Sequence, residues 1–307
     1  MNTRKILITG GSGFVGSHLA DALVERGANV VVIDKVDPKQ TNKNEKVEYI
    51  NMNIQDDGVL GVFEKYQPEI VFHLAAHLHD RESVDMPIQN AQDNVIGLLN
   101  VCEANRKTSK AKVVFMSSCA TYGNQSSLPI TEDMIPAPET PYGITKLVGE
   151  NYFRFYQNIR EIPFIAFRAA NIYGPRQDSS AESGVIGIFS SRLISGEPVV
   201  INNDGQTTRD YIYVADVVNA LILGAESNTT GVFNLGTGIE TSTQQIFDLI
   251  KSEIDADANF ERNENQQDAL KHIVLDAGKL RNELSWKPEV NLTDGVAGTV
   301  KWYKDNK

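Results

Sequence analysis

The sequence predicts an α/β fold: a doubly wound parallel sheet covered by helices on both faces, with a smaller C-terminal α/β lobe. Short runs rich in Val and Ile recur without polar alternation, which is typical of parallel strands buried on both faces. Longer helix-like segments separate these runs, and such alternation favours a parallel sheet. With 307 residues, the chain is long enough for one large domain or two unequal ones.

The elements of the first half follow one another regularly. Strands are predicted at residues 5–9, 29–33, 47–50, 70–74, 113–116 and 165–167, and helices at 13–26, 58–66, 87–105 and 141–158. After residue 174, Gly, Asn and Asp punctuate shorter elements, with helices predicted at 185–195, 216–224 and 242–254. We therefore expect residues 1–173 to form the main sheet. Residues 174–307 should form mainly a substrate-facing lobe that returns a strand or two to that sheet.

Composition narrows the class of protein. The net charge of −11 argues against a nucleic-acid partner, because phosphate binding needs clustered Lys and Arg. The two cysteines, Cys102 and Cys119, make no metal framework and suggest a reducing compartment. No run of about 18 apolar residues occurs, so no membrane span is expected. We expect a cytoplasmic protein without a metal site.

A glycine-rich loop follows the first predicted strand and opens the first predicted helix. Gly10, Gly13 and Gly16 form GxxGxxG, and Gly11, Gly13 and Gly16 also satisfy GxGxxG. Glycines let the backbone turn tightly and approach a pyrophosphate, to which the helix N-terminus offers N–H donors. Alone, such a string is also compatible with an ordinary flexible turn. Its position between strand and helix favours dinucleotide binding and a Rossmann-type sheet.

The second predicted strand ends at Asp34, which lies 18 positions after Gly16. An acidic side chain there can accept hydrogen bonds from the adenosine ribose hydroxyls and would repel a 2′-phosphate. The pattern therefore favours NAD over NADP. The alternative for Asp34 is a residue that caps the strand end or begins a turn.

Tyr142 and Lys146 form a YxxxK arrangement on a predicted helix, where a spacing of four places both side chains on one face. A tyrosine with its ordinary pKa of about 10 is a poor base at neutral pH. A nearby ammonium group stabilises the phenolate, which would make Tyr142 an acid/base group. An ordinary exposed Tyr–Lys pair on a helix has the same spacing.

Ser118 follows the predicted strand 113–116, near the strand's carboxyl end, where ligands bind in open α/β sheets. Its hydroxyl could bond to a reacting hydroxyl of a substrate. A serine in this position is also commonly a helix cap or a turn residue.

The order of motifs along the chain resembles that of the extended short-chain dehydrogenase/reductase family. Besides the glycine loop, Asp34, Ser117-Ser118 and YxxxK, the matching segments are His73-Leu74-Ala75-Ala76-His77, RxxNxYGPR at 168–176, DGxxxRDYIYV at 204–214, Asn234-Leu235-Gly236-Thr237-Gly238 and Leu284-Ser285-Trp286-Lys287-Pro288. Within that family the pattern is most similar to the NAD-dependent epimerase/dehydratase group, in particular to UDP-glucose and UDP-N-acetylglucosamine 4-epimerases. The resemblance spans nearly the whole chain.

The resemblance implies an NAD-dependent isomerase that inverts C4 of a UDP-hexose through a transient 4-keto sugar. It implies that Tyr142 is the acid/base group, that Lys146 tunes it and that Ser118 assists. The implied cofactor contacts are Gly10, Gly13, Phe14, Val15, Gly16, Asp34, Lys35, Asn53, Ile54, Leu74, Ala75, Ala76, His77, Asn94, Ser117, Tyr142 and Lys146. The implied substrate contacts are Ser118, Tyr142, Asn171, Val185 and Arg209, with Arg209 facing the diphosphate. A homodimer through the helices 87–105 and 141–158 is also implied.

Several positions depart from the family pattern. Asn53 stands where related enzymes carry Asp, and residues 265–268 lack the diphosphate-binding Arg of many relatives, although Arg262 lies nearby. Cys119-Ala120 replaces the Asp-Glu pair of the 4,6-dehydratases, which disfavours that reaction. A 4-keto-sugar reductase and a catalytically inactive NAD-binding protein remain alternatives. Residues 271–274 lack the large Tyr found in some glucose-restricted relatives, which suggests that N-acetyl sugars are accepted.

Overall fold

The structure, a computed structural model, describes residues 1–78, 80–179, 184–202, 205, 207–254, 260–263 and 272–307. Its largest unit is a seven-stranded sheet in the order β10-β6-β5-β4-β1-β2-β3, with every neighbouring pair parallel. The strands are β1 (Lys5–Thr9), β2 (Asn29–Asp34), β3 (Glu48–Asn51), β4 (Ile70–His73), β5 (Lys112–Ser118), β6 (Phe164–Ala169) and β10 (Gly231–Leu235).

Helices cover both faces of this sheet. They are α1 (Phe14–Glu25), α2 (Val59–Tyr66), α5 (Gly97–Lys107), α6 (Pro141–Arg160), α8 (Val214–Glu226) and α10 (Gly278–Leu284), while the short helices α3 (Asp80–Asp85) and α4 (Pro87–Ala91) pack against α6. Side chains alternate across the strands: Ile6 and Ile8 join one apolar cluster with α1 and α8, while Leu7 joins another with α2, α5 and α6. This two-sided burial confirms the predicted doubly wound α/β fold.

The second lobe is built on smaller sheets. In one of them β9 (Thr208–Tyr213) lies between β11 (Glu240–Ser242) and β13 (His272–Ile273) and also pairs with β7 (Asn171–Tyr173). In the other, β8 (Val199–Asn202) pairs with β12 (Phe260–Asn263). The helices α7 (Val185–Ile194), α9 (Thr243–Ile254) and α11 (Leu292–Asp305) enclose a third apolar cluster in this lobe.

The two parts of the chain exchange elements. β10 lies beyond residue 174 in sequence but is the outer neighbour of β6 in the main sheet. β7, by contrast, precedes residue 174 and pairs with β9 in the second lobe. On each side of the boundary between residues 173 and 174, one strand therefore belongs to the sheet of the other part.

The predicted helix 87–105 is interrupted in the structure. α4 runs into a π-helical turn, Gln92–Ile96, before α5 begins. A π-helical turn accommodates one extra residue and occurs often at functional sites. Here the turn contains Asn94, which binds the loop after β4.

Candidate active site

The carboxyl edge of the main sheet gathers the predicted cofactor residues. The loops after β1, β2, β4 and β5 meet there, as expected at the end of a doubly wound sheet where ligands bind. Leu74 N donates to Thr9 O at 3.0 Å, and Gly10 N donates to Ile33 O at 2.9 Å. These bonds extend the sheet ladder into the loops and fix the glycine loop beside β2 and β4.

The glycine loop allows close backbone packing. Gly10 has φ +76°, a conformation that favours glycine. A Cβ there would also lie 2.6 Å from Ala75 N, so both the backbone conformation and the lack of space exclude a side chain. A Cβ at Gly16 would overlap Gly10 O. Gly13 precedes α1, whose N-terminus has neither a side-chain cap nor an acidic residue in its first turn. Its first N–H groups have no intrahelical acceptor, as at any helix start, and Phe14 and Val15 begin the helix over this loop.

Asp34 closes the loop from the side of β2. Its carboxylate accepts hydrogen bonds from Ser12 N at 3.0 Å and Val36 N at 3.2 Å. Burial raises the pKa of Asp34, while these backbone N–H bonds act in the opposite direction. Each carboxylate oxygen retains lone pairs for further donors. The neighbouring Lys35 is exposed, with its ammonium 3.6 Å from Asp93 Oδ2.

The loop after β4 is held by buried amides. Asn94 Oδ1 accepts from His77 N at 2.7 Å, and Asn94 Nδ2 donates to His77 O at 3.1 Å and to Thr145 Oγ1 at 3.0 Å. Asn94 therefore ties the segment from Leu74 to His77, including Ala75 and Ala76, to the YxxxK helix. Both the oxygen and the nitrogen of its side chain bond to protein groups, so Asn94 helps to position this loop.

Ser118 lies at the end of β5 and begins a 3-10 turn, Cys119–Thr121. Its Oγ accepts from Ala120 N at 3.1 Å, so it does cap this turn, yet its hydroxyl hydrogen stays available for donation. A Cβ at Gly143 would lie 2.5 Å from Ala120 O. This close approach packs the start of α6, which carries Tyr142, against the 3-10 turn that Ser118 caps.

Tyr142 and Lys146 share one face of α6. Thr140 caps the helix by accepting from Gly143 N, and Pro141 opens its first turn. The Lys146 ammonium lies 5.7 Å from the centre of the Tyr142 ring and donates to Met116 O at 2.8 Å. Burial lowers the pKa of Lys146 to about 7, against an opposing effect of Glu150. A small change in its surroundings can therefore change its charge at neutral pH.

The predicted cofactor contact Ser117 has its side chain elsewhere. Ser117 Oγ donates to Glu150 Oε1 at 2.5 Å, and both groups are buried. Contact of Ser117 with a cofactor would have to use its backbone. The direction of this side chain follows from strand alternation, since Ser117 and Ser118 are neighbours on β5 and face opposite ways.

Three of the predicted substrate residues, Asn171, Val185 and Arg209, lie on the second lobe, whereas Ser118 lies on β5 of the main sheet and Tyr142 on α6 beside it. Asn171 on β7 pairs with Tyr211 on β9, two residues after Arg209, so Asn171 and Arg209 are diagonal neighbours. Arg209 also pairs with Thr241 and Ile273, which makes it central in its sheet. Val185 begins α7 and packs against the third apolar cluster.

The predicted cofactor positions after β3 make contacts within the protein. Asn53 Oδ1 accepts from Gln55 N at 3.0 Å, and the Ile54 side chain is buried against Gly97. The altered tetrad 265–268 lies outside the described residues. Arg262 lies on β12, is exposed and stacks over Phe260 at 5.4 Å.

The residues at the carboxyl edge suit a dinucleotide. The side-chain-free approach at Gly10 and Gly16, the uncapped start of α1 and the acceptor at Asp34 match a pyrophosphate and a ribose diol. Within the described residues, no group of three or more His, Cys, Asp or Glu side chains is placed to hold a metal ion. No helix in the described part of the chain is long and apolar enough to cross a membrane.

Fold and site together define a dinucleotide-binding protein with a second lobe over the carboxyl edge of its sheet. The chain belongs to the NAD-dependent epimerase/dehydratase family, whose model matches residues 6–236. This confirms the family and the NAD dependence expected from the motifs.

Similar proteins cover the full length of the chain. A UDP-glucose 4-epimerase of Mycolicibacterium smegmatis is 36% identical over 98% of this chain and 99% of its own. A crystal structure of UDP-glucose 4-epimerase with UDP-glucose from Thermotoga maritima has a TM-score of 0.93 at 37% identity, covering 100% of this chain and 99% of that one. The UDP-N-acetylglucosamine 4-epimerase of Methanobrevibacter ruminantium M1, in complex with UDP-N-acetylmuramic acid, has a TM-score of 0.95 at 31% identity and full coverage of both chains.

Some residues that build the site are not among those predicted from the sequence. Asp210 accepts from Thr237 N, Gly238 N and Leu275 N and so joins β9 to the loops after β10 and β13. Glu150 on α6 accepts hydrogen bonds from Arg168, which lies near the carboxyl end of β6. Their sequence context does point to them, because Asp210 belongs to DGxxxRDYIYV, Arg168 begins RxxNxYGPR, and Glu150 follows Lys146 by four residues.

Proposed function

We propose that the protein is an NAD-dependent UDP-hexose 4-epimerase in which Tyr142 is the acid/base group. The observation that supports this most directly is the position of the Lys146 ammonium, 5.7 Å from the centre of the Tyr142 ring, on a helix whose start packs against the turn that Ser118 caps. The similarity to UDP-sugar 4-epimerases over the whole chain supports the same reaction class.

The residues divide the chemistry among them. Tyr142, as phenolate, removes the proton of the sugar C4 hydroxyl, and the Lys146 ammonium stabilises that phenolate. Ser118 donates its hydroxyl hydrogen to the C4 oxygen and orients it. When bound, NAD supplies a two-electron acceptor for the hydrogen on C4 and returns it, so that no net oxidation occurs. The 4-keto sugar must present its other face before the hydride is returned to C4, and Tyr142 then gives the proton back to the C4 oxygen.

The second lobe would hold the nucleotide part. We propose that Arg209 binds the diphosphate and that Asn171 contacts the same substrate, since the two residues are diagonal neighbours on adjacent strands. We also propose that Val185 lies near the substrate. The further proposed neighbours of the cofactor are Phe14, Val15, Lys35, Asn53, Ile54 and His77.

The dehydratase alternative remains disfavoured. That reaction needs an acid and a base directly after the catalytic Ser. In this chain Cys119 and Ala120 are buried in the 3-10 turn. Neither supplies a carboxyl group for moving a proton at C5.

The test is to incubate the purified protein with UDP-glucose, UDP-galactose and their N-acetyl forms, and to separate the epimers. We expect interconversion in both directions with no accumulation of NADH. Because the 271–274 segment lacks a large Tyr, we also expect turnover of the N-acetyl sugars. Failure of all four sugars to convert in a protein that binds NAD would reject the proposed reaction.

The role of Tyr142 is tested by Tyr142→Phe, which removes only the phenolic oxygen. We expect turnover to fall by about 10²–10⁴-fold, the usual contribution of a general acid/base group, with NAD binding retained. Tyr152→Phe, on the same helix, should retain turnover.

We further propose a cytoplasmic homodimer. Both cysteines are free and buried, as suits a reducing compartment. The helices α4 to α6 expose Ile88 (75%), Ile96 (54%), Phe155 (44%) and Ile159 (61%), and α4 and α5 pack beside α6. A two-fold axis would bury this face against itself.

Sedimentation velocity tests the dimer. Ile159→Glu should convert the dimer to monomer, because it would place a charge in an apolar interface. Ile135→Glu, at a site 82% exposed and outside these helices, should leave the dimer intact. A monomeric parent protein would reject the interface.

A further inference from the structure

The ion pair between Arg168 and Glu150 is buried directly behind the candidate catalytic residues. Arg168 Nε donates to Glu150 Oε1 at 2.9 Å and Nη2 donates to Oε2 at 2.6 Å, with side chains only 5% and 1% exposed. Ser117 adds a third donor to the same carboxylate. The pair thus joins β6 to α6, and Ser117, which is opposite Arg168 on β5, adds that strand one residue before Ser118.

Stability alone is a poor reason for such a pair. Removing two charges from water is costly, and replacement of a buried ion pair by apolar side chains is often neutral or stabilising. The pair must therefore be understood through its neighbours. Glu150 is one helical turn after Lys146, so the two side chains lie on the same face of α6.

Lys146 has an unusual environment for an ammonium group. It is buried, and its hydrogen bond goes to the neutral oxygen of Met116. Burial favours the uncharged amine, and Glu150 opposes this effect. If the carboxylate of Glu150 were free, it would attract the ammonium away from Met116 O and Tyr142. Arg168 and Ser117 occupy both of its oxygens.

We propose that Glu150 and Arg168 are positioning residues that, as an ion pair, set the charge and the direction of the Lys146 ammonium. Glu150 supplies negative potential that favours the charged form of Lys146, and Arg168 prevents the carboxylate from capturing the ammonium. The inference rests on the proposed function, since the charge of Lys146 matters for turnover only if Tyr142 is the acid/base group.

Other ionisable groups near Lys146 do not replace this pair. Tyr142 lies on the same helix, Cys119 on the adjacent turn, and His73 on β4 is kept neutral because burial and Lys146 lower its pKa to about 3. On the other elements packed against α6, the described acidic side chains are engaged elsewhere. Glu82 and Asp93 lie at His77, and Glu103 pairs with Arg106.

Two substitutions should shift the titration of Lys146 in opposite directions. Glu150→Gln keeps the shape but removes the negative charge, so the alkaline limb of kcat/KM should move down by about one pH unit. Arg168→Met leaves the carboxylate uncompensated, so the limb should move up by a similar amount while kcat falls. The double variant should return the limb close to its original position.

A second readout needs no turnover. Protein labelled with [13Cε]lysine is titrated by NMR, and the Lys146 signal is assigned by its loss in Lys146→Met. Opposite shifts of its midpoint in Glu150→Gln and Arg168→Met support the inference. Shifts in the same direction, or midpoints equal to that of the parent, overturn it, because a merely structural pair would not move the lysine in a sign-dependent way.

A milder variant covers the case in which a single substitution unfolds the protein. Ser117→Ala removes one donor from the carboxylate and should raise the Lys146 midpoint by a few tenths of a pH unit. An unchanged midpoint in Ser117→Ala, together with a double variant displaced from the parent, overturns the inference. Turnover retained by Tyr142→Phe would reject the proposed function, whereas the lysine titration would still test the ion pair.

Discussion

The two halves of the candidate site are built by different means. At the carboxyl edge of the main sheet, backbone groups form most of the candidate site. Gly10 and Gly16 allow a ligand to approach closely, and the start of α1 offers N–H groups. In the second lobe, single carboxylates hold distant segments together. Asp210, for example, joins β9 to Thr237, Gly238 and Leu275.

This difference predicts different sensitivities. A backbone-built site should fail when a side chain is added, even a methyl group. A site held by carboxylates should fail when a charge is removed, even with shape conserved. Four substitutions, taken in order of expected effect, test this contrast.

The largest effect is expected for Gly10→Ala. A Cβ there would lie 2.6 Å from Ala75 N at φ +76°, so the loop must move away from the nucleotide. We expect NAD affinity, measured by calorimetry, to fall at least about 100-fold. Gly61→Ala is the control, because a Cβ at Gly61 meets nothing within 4 Å and should stabilise α2 slightly. Equal NAD affinity in both variants would contradict a backbone-built site.

Asp210→Asn should have the next largest effect. Asn keeps the volume but cannot accept all the bonds that Thr237, Gly238 and Leu275 donate. We expect urea unfolding to show a loss of about 2–4 kcal/mol, with substrate binding impaired more than NAD binding. Asp248→Asn, on the exposed side of α9, should cost little. A loss confined to NAD binding would reverse the comparison.

His73→Gln tests a buried side chain on β4, in the half of the site that the main sheet forms. Burial, followed by the charge of Lys146, lowers the pKa of His73 to about 3, well below its usual 6.5. The unfolded chain therefore binds more protons between pH 6.5 and 3, so folding stability is lost as the pH falls through this window. We expect a slope of about 1.4 kcal/mol per pH unit from this group, measured by urea unfolding. The slope should be smaller in His73→Gln, and an unchanged slope would remove His73 as its source.

The smallest effect is expected at the junction of the two halves. Arg176 Nη1 donates to Asp21 Oδ2 at 2.8 Å, so the loop after β7 is fastened to α1. Both side chains are partly exposed, so we expect Asp21→Asn to cost at most about 1 kcal/mol. The loss should shrink in high salt because the interaction is screened. A large, salt-independent loss would mean that the halves depend on this link.

The same contrast explains what could be predicted from the sequence. The strands from β1 to β6 and their helices follow from local periodicity, and the glycine loop and YxxxK are short motifs with fixed spacing. The small strands β7, β11 and β13 have two or three residues each, too few for a periodic pattern. Residues such as Asp210 and Arg168 act through partners that are distant in sequence, so only the fold shows their contacts.

Side-chain direction was the other limit. Ser117 and Asn94 are predicted cofactor contacts, and the structure adds that their side chains bond to Glu150 and to His77 O, contacts that the sequence does not reveal. The π-helical turn at Gln92–Ile96 rotates the helix locally, which a regular 3.6-residue period does not include.

The position of β10 has a consequence for synthesis on the ribosome. β6 is buried on every residue, yet its outer neighbour β10 is made roughly 60 residues later. At ordinary elongation rates the nascent chain waits several seconds, on the order of 3–12 s, with β6 as an open apolar edge. An unpaired edge of this kind can recruit strands from other chains. Translation arrest between residues 170 and 230 should therefore yield more aggregation-prone nascent chains than arrest after residue 240.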